Sequence, residues 1–146
     1  MNSGLRRAAV EALAELGRSD DHRDRADAGQ GLAGFADMEA ALAPLLDLVL
    51  DPRDTFVTRR TAEALLRRKD RSGLAAVASA LAVAGGNHGD WIHTAILDVF
   101  GVFSDERDIA VLLCEDMSRD TDRRVAHGAR LMLEILAEID PALRTL

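Results

Sequence analysis

Apolar residues return every three or four positions along nearly the whole chain, the spacing that gathers them on one face of an α-helix. Leu5, Ala9, Ala12, Leu13 and Leu16 form a first stripe, and Met38, Leu42, Leu45, Leu46 and Val49 form another. Leu74, Val77, Ala78 and Leu81 repeat the pattern, and Ile92, Ala95, Ile96, Val99, Phe100 and Phe103 carry it most fully. Ile109, Leu112, Leu113 and Met117 follow, then Val125, Ala129, Met132, Leu133 and Leu136. No stretch alternates apolar and polar residues as a half-buried strand would. The expectation is an all-α chain in which residues 1–146 form a single domain.

Residues that start and stop helices stand between the stripes. Gly17-Arg18-Ser19-Asp20 ends the first helix and offers a cap to the second. Asp37, Asp51-Pro52-Arg53-Asp54, Asp70-Arg71-Ser72, Gly85-Gly86-Asn87 and Ser104-Asp105 separate the rest. Asp and Ser accept from the free amides that open a helix, and Pro52 is read at a position where no amide is required. Asp90 is read as the N-cap of the helix that carries Ile92, with His88 ahead of it and His93 in its first turn. Asp140-Pro141 opens a short C-terminal piece. Short connections predict that consecutive helices run antiparallel. The breaks also recur. Leu32 then Asp37, Leu65 then Asp70, and Phe100 then Asp105 give a period of roughly 33 to 35 residues, in the range of helical-repeat arrays.

One of these repeats resembles a known family. The run Leu50-Asp51-Pro52-Arg53-Asp54-Thr55-Phe56-Val57-Thr58-Arg59-Arg60-Thr61-Ala62-Glu63-Ala64-Leu65-Leu66 is similar to the core pattern of HEAT repeats. In that pattern an Asp-Pro turn leads to a Val-Arg pair and then to an Ala-rich helix ending in Leu. Arg123-Arg124-Val125-Ala126 is a looser echo, and the similarity runs from about His22 onward. The period is shorter than the usual HEAT length, and Trp91-Ile92-His93 stands where the third repeat would carry Val-Arg. The resemblance implies a right-handed α-solenoid of about four antiparallel helix pairs, the last truncated. It further implies scaffolding and partner binding. Some family members are enzymes, so fold alone does not assign the activity.

Composition narrows the functions. Aromatics are 3% of the chain, with one Trp and no Tyr, so the apolar weight falls on Ala, Leu, Val and Ile, which suit close helix packing. The net charge of −7 repels phosphate backbones, whereas nucleic-acid binders are usually basic. HEAT-like DNA glycosylases work through a basic surface with several aromatics, and HEAT-like bilin lyases also exist. Neither chemistry is marked here. Lys69 is the sole lysine among the cations. Cys114 is the sole cysteine, which excludes an internal disulfide and a zinc knuckle of paired cysteines. The N-terminus from Met1 to Arg7 has no apolar core of a signal peptide, and no apolar run is long enough to span a bilayer. A cytoplasmic location is expected, and Met1 with the capped ends is read as a complete chain.

Several groups of residues invite a chemical reading. Gly29-Gln30-Gly31-Leu32-Ala33-Gly34 has the letters of a dinucleotide fingerprint, but the preceding Asp20-Asp21-His22-Arg23-Asp24-Arg25 cannot be the buried strand that mechanism requires. The glycines are better read as room for a neighbouring helix. His88, Asp90 and His93 surround Trp91, yet their spacing is poor for zinc, and no metal or cofactor is expected. Trp91 and His93 are a candidate partner-binding spot, because Trp is enriched at binding centres. Cys114 has apolar and acidic neighbours that disfavour a thiolate, so it is read as a buried small hydrophobe.

Arg59, Arg60, Arg67, Arg68, Lys69 and Arg71 make the largest cationic segment. They are expected to pair with Asp54, Asp70 and the acidic next repeat, with Arg60 and Glu63 on one face. Otherwise they would receive phosphate or an acidic segment. Glu115 and Asp116 head an acidic stretch that runs to Asp122. The resulting expectation is a protein–protein interaction module, a cytosolic adaptor without catalytic activity. Three other readings stand beside it: an immunity or inhibitor protein whose acidic surface blocks a basic toxin or nuclease, a nucleic-acid binder or glycosylase working through Arg59–Arg71, and a regulatory subunit sensing a small ligand between repeats, which no particular residue marks.

Overall fold

The computed structural model describes residues 2–145 as eight helices joined by short turns. These are α1 (Ser3–Leu16), α2 (His22–Ala33), α3 (Glu39–Val49), α4 (Thr55–Leu66), α5 (Arg71–Val83), α6 (Gly86–Phe100), α7 (Ser104–Met117) and α8 (Arg123–Ala137). The odd-numbered helices touch in series, α1–α3–α5–α7, and so do the even-numbered ones, α2–α4–α6–α8. Each helix also packs on the one before it, giving two rows that enclose one continuous core. Phe100, Leu32, Leu45, Leu65, Ile92, Ile96, Met132 and Leu136 lie fully inside that core.

Five helices open on the caps that short polar side chains provide. Asn2 accepts from the Leu5 amide, Asp21 from Arg23, Asp54 from Phe56, Asp70 from Gly73 and Asp122 from Arg124, at 2.8–3.0 Å. The other three depart from the sequence expectation. Asp37 does not cap α3, which starts from Met38 without a side-chain acceptor. Instead Asp37 takes both oxygens to Arg6 of α1 at 2.9 Å, a bond that holds its carboxyl below the ordinary range. Asp90 does not cap α6, which begins four residues earlier at Gly86 and so contains His88 in its first turn. Gly85, Gly86 and Asn87 are exposed, so the opening amides can meet solvent without an internal partner. Pro52 lies in the turn ahead of Asp54 rather than in the first turn of α4.

The third departure is α7, whose cap comes from far along the chain. Residues 140–145 run extended beside the α6–α7 corner, where Ala142 and Leu143 donate to the carbonyls of Gly101 and Val102 at 2.9 and 2.7 Å. Ser104 returns a bond to the Leu143 carbonyl, and the Asp105 amide donates to Thr145 Oγ1 at 3.0 Å. The expected truncation of the last pair is not found. α7 and α8 have 14 and 15 residues, and the core continues through Leu136 to Ile139.

Glycines set the closest approaches. A Cβ on Gly29 would lie 2.0 Å from Thr61 Oγ1, and one on Gly31 2.9 Å from Leu13 Cδ2, so the glycine-rich run in α2 is spacing for α4 and α1. The most extensive contact of the fold joins α5 to α8, outside the serial order of the rows. There a Cβ on Gly128 would sit 1.8 Å from the Ala78 carbonyl oxygen.

One ion pair is buried within this frame. Arg25 of α2 and Asp51 of the α3–α4 turn are 4% and 5% exposed. Arg25 donates from Nε and Nη2 to the two carboxylate oxygens at 2.9 and 3.2 Å. Its Nη1 donates to the carbonyls of Ser19 and Asp20, so four of its five N–H donors are engaged. Asp51 also accepts from the Arg53 and Asp54 amides, and its carbonyl accepts from His88 Nε2 at 2.8 Å. The α1–α2 turn, the α3–α4 turn and the start of α6 are thereby tied at one point.

Candidate functional site

The charged residues singled out in the sequence are largely engaged within the fold. Arg59 donates to Glu63 at 2.9 Å, and that carboxylate raises the Arg59 pKa. Glu63 thus serves Arg59, not Arg60 as expected. Arg60 bonds the Gln30 side chain and lies 5.6 Å from the centroid of Phe56, whose ring His22 meets edge-on. Arg68 grips Asp70 at 2.8 and 3.1 Å and donates to the Ala33 carbonyl at 3.0 Å. Burial pushes the Asp70 carboxyl up, but Arg68 and the Gly73 amide outweigh it and hold the group below its ordinary value. Lys69 reaches Glu106 at 3.0 Å and stands 4.8 Å from the Phe100 ring centroid, at the single positive φ among the described residues, +58°. Arg71 crosses to Asp116 and Asp120 of the other chain end. Asp54 pairs with none of these cations, because it caps α4. Only Arg60 and Arg67 of the segment have no carboxylate partner among the described residues. The expected pairing is thus found for Arg68 with Asp70 and for Lys69 and Arg71 with α7, and the alternative cationic patch is reduced to two arginines.

The acidic stretch is likewise spent on the fold. Asp116 and Asp120 face Arg71, Asp120 also accepts the Asp122 amide, and Asp122 caps α8. Glu115 and Asp122 are exposed and pair with no cation among the described residues, Asp122 accepting only from backbone amides. Trp91 is half-buried on α6, and His93 donates from Nε2 to Glu138 at the end of α8, 2.9 Å away. His88 turns to Asp51 instead. These histidines therefore do not converge, and among the described residues no three His, Cys, Asp or Glu side chains gather as metal ligands.

Cys114 lies wholly inside, and burial pushes its thiol up to about 12. A thiol reacts as thiolate, so iodoacetamide near neutral pH should alkylate the folded chain about 100-fold more slowly than the chain in urea. Equal rates in the two states would contradict the buried assignment. Between about pH 9 and 12 the unfolded chain releases a proton that the folded chain keeps, so this group subtracts stability as pH rises through that window.

A site that the sequence patterns did not single out lies on the odd-numbered row. Leu42, Ala43 and Leu46 of α3, Ala75, Ala76 and Ser79 of α5, and Asp122, Arg124 and Val125 at the α8 start enclose an open groove of about 440 Å³. Its shape follows from side-chain size. The outward positions of α5 are Ala and Ser, so its surface lies low between the taller leucines of α3. No Asp, Glu, Lys or Arg occurs from Ser72 to Gly89. Leu42 is 42% exposed at the groove wall. Arg124 makes no ion pair among the described residues, and neither do Glu39 and Asp47 on the outward face of α3.

Exposed apolar side chains also favour this row. Of the eleven large ones, Leu5, Leu16, Leu42, Val83, Ile109 and Leu112 belong to α1, α3, α5 and α7. The even-numbered row contributes only Phe56 and Leu97. Leu5, Leu16, Leu42, Ile109 and Leu112 were read as members of apolar stripes and lie exposed on the odd-numbered row. Phe103, read with the Ile92 stripe, falls beyond the end of α6 and is exposed too.

No helix among the described residues is long and apolar enough to cross a membrane. No protein-family model and no curated protein matches the chain. A solved structure described as an engineered protein aligns with 88% of this chain at 20% identity and a TM-score of 0.35. The aligned chain spans 62% of that protein's length.

Proposed function

We propose that this chain is a protein-interaction module, a right-handed solenoid of HEAT-like helix pairs that presents its α1–α3–α5–α7 row to a partner protein. The α3–α5–α8 groove carries the reading. Surface hydrophobes scattered singly are ordinary, but a concave apolar cleft beside further exposed leucines is the form that interaction sites take. No catalytic step is assigned. The buried neutral thiol of Cys114 and the separately engaged His88 and His93 supply no nucleophile with a neighbouring base.

A second reading, an inhibitor of a basic protein, is supported by Glu39, Asp47 and Glu115, which lack cations on the same row. The Arg59–Arg71 reading for nucleic acid is weakened by the pairing of Arg59, Arg68, Lys69 and Arg71.

The test uses the full chain as bait in a native extract at moderate salt, beside an Ala76→Arg variant that fills the groove. A protein held near stoichiometrically by the first bait and lost by the second, with equal helicity of both baits, is the expected result. The same protein on both baits would move the interface elsewhere. Recovery of nucleic acid would replace the module reading with the basic one.

A further inference from the structure

We propose that the occupant of the α3–α5–α8 groove is an amphipathic helix of the partner, apolar on the face it buries and cationic along its flank. This rests on the interaction-module reading and specifies what that site receives.

The backbone of the groove excludes one mode of peptide recognition. An extended peptide that adds to a sheet needs free amides and carbonyls along an edge. α3 and α5 spend theirs inside the helices, and only side chains face the groove. A polyproline segment needs an aromatic-lined trough, and none of the nine lining residues is aromatic. A helix is the remaining regular form, and small residues at 75, 76 and 79 let its backbone come close to α5. The thirteen residues of α5 run roughly 20 Å, enough for three to four turns of a partner helix with apolar anchors at i, i+3, i+4 and i+7.

Charge sets the flank. Glu39 and Asp47 lie eight positions apart on the outward ridge of α3, outside the groove lining and, for Asp47, at the adjoining α1–α3 cleft. Both are exposed and pair with no cation among the described residues, and the chain carries a net charge of −7. A partner helix with Lys or Arg on the α3 side neutralises both, while an anionic helix would be repelled along the same edge. Arg124 stands on the α8 rim of the groove and offers a partner carboxylate a bidentate site there. The α3 ridge therefore favours cations, and the α8 rim, where Asp122 stands beside Arg124, tolerates either sign.

The probe is a set of three labelled synthetic peptides of about 18 residues, five helical turns. One is a Leu/Lys amphipathic helix, one its Leu/Glu counterpart, and one a Leu/Lys scramble that keeps composition but has no apolar face. Fluorescence anisotropy with the full chain should show one saturable site that binds the first at least about tenfold more tightly than the others. Ala76→Arg should weaken that binding at least about tenfold, and Glu39→Gln with Asp47→Asn about threefold or more, with a smaller effect at high salt. Equal binding of the scramble, preference for the Leu/Glu helix, or indifference to Ala76→Arg overturns the inference. If the extract partner is lost on Ala76→Arg while the Leu/Lys helix does not bind, the cationic helix is wrong and the module reading stands. If Ala76→Arg affects neither, the groove falls as the interface.

Discussion

Asp51→Ala should cost about 3–5 kcal/mol of folding stability, as much as truncating a large core side chain. The reason is asymmetry. Keeping the pair gains little over an apolar substitute, because both ions were taken out of water to form it. Removing one partner leaves Arg25 buried with its Nε and one Nη2 proton unsatisfied, in a position 4% exposed. It also strips an acceptor from the Arg53 and Asp54 amides and loosens the turn that leads into α4. A domain of this size is stable by about 5–15 kcal/mol, so much of the folded population is at risk. Urea denaturation of the full chain measures the loss. Arg25→Ala should fall in the same range, and the double variant should lose less than the two single losses added. Arg18→Ala, at an exposed Arg18–Glu15 pair, should change stability by no more than about 0.5 kcal/mol. A loss at Asp51 no larger than that of the surface pair would show that the junction does not hold the three turns together.

The same pair marks where the sequence stopped being informative. Helix periodicity is a local signal, so the stripes through Leu45, Leu74, Ile96 and Met132 announced their helices and their buried faces. Caps at Asp54 and Asp70 were legible for the same reason, since each acceptor lies within three residues of its amide. The glycines of α2 were legible because no strand preceded them. Arg25 and Asp51 stand 26 positions apart, and nothing near either one indicates the other. Thr145 supplies a cap to α7 across 40 positions, which no local rule anticipates. Asp90 attracted a cap assignment because acidic residues favour that position, but two exposed glycines started α6 first. The groove was missed for a different reason. Small residues at positions 75, 76 and 79 carry no signal of their own, and only packing reveals that this face of α5 is left half-buried between α3 and α8. The charge segments were legible as groups that pair, but not which residue meets which: Arg71 bridges Asp116 and Asp120 at the surface, 45 and 49 positions away.

Gly128→Ala should destabilise the chain by about 1–3 kcal/mol, although helix propensity alone predicts the opposite sign. Alanine is the better helix former by about 1 kcal/mol, and Gly128 lies in the interior of α8. The site decides otherwise. An added methyl would lie 1.8 Å from the Ala78 carbonyl oxygen, 2.3 Å from its carbon and 2.7 Å from its Cα. All three are backbone atoms of α5, so no side chain can turn aside, and the two helices must separate along the most extensive contact in the fold. Gly89 in α6 is the internal control. Nothing lies within 4 Å of a Cβ built there, so Gly89→Ala should be neutral or stabilise by a few tenths of a kcal/mol. Thermal denaturation should therefore show a lowered midpoint for Gly128→Ala and an unchanged or raised one for Gly89→Ala, and a stabilised Gly128→Ala would show that α5 and α8 are not in contact as described. The substitution also reaches the groove. Val125 and Arg124 stand one turn before Gly128 and form the α8 wall, so parting α8 from α5 opens the groove on that side. A Gly128→Ala chain that remains folded should bind the Leu/Lys helix less tightly than the parent, because its third wall has moved away from Ala75 and Ala76.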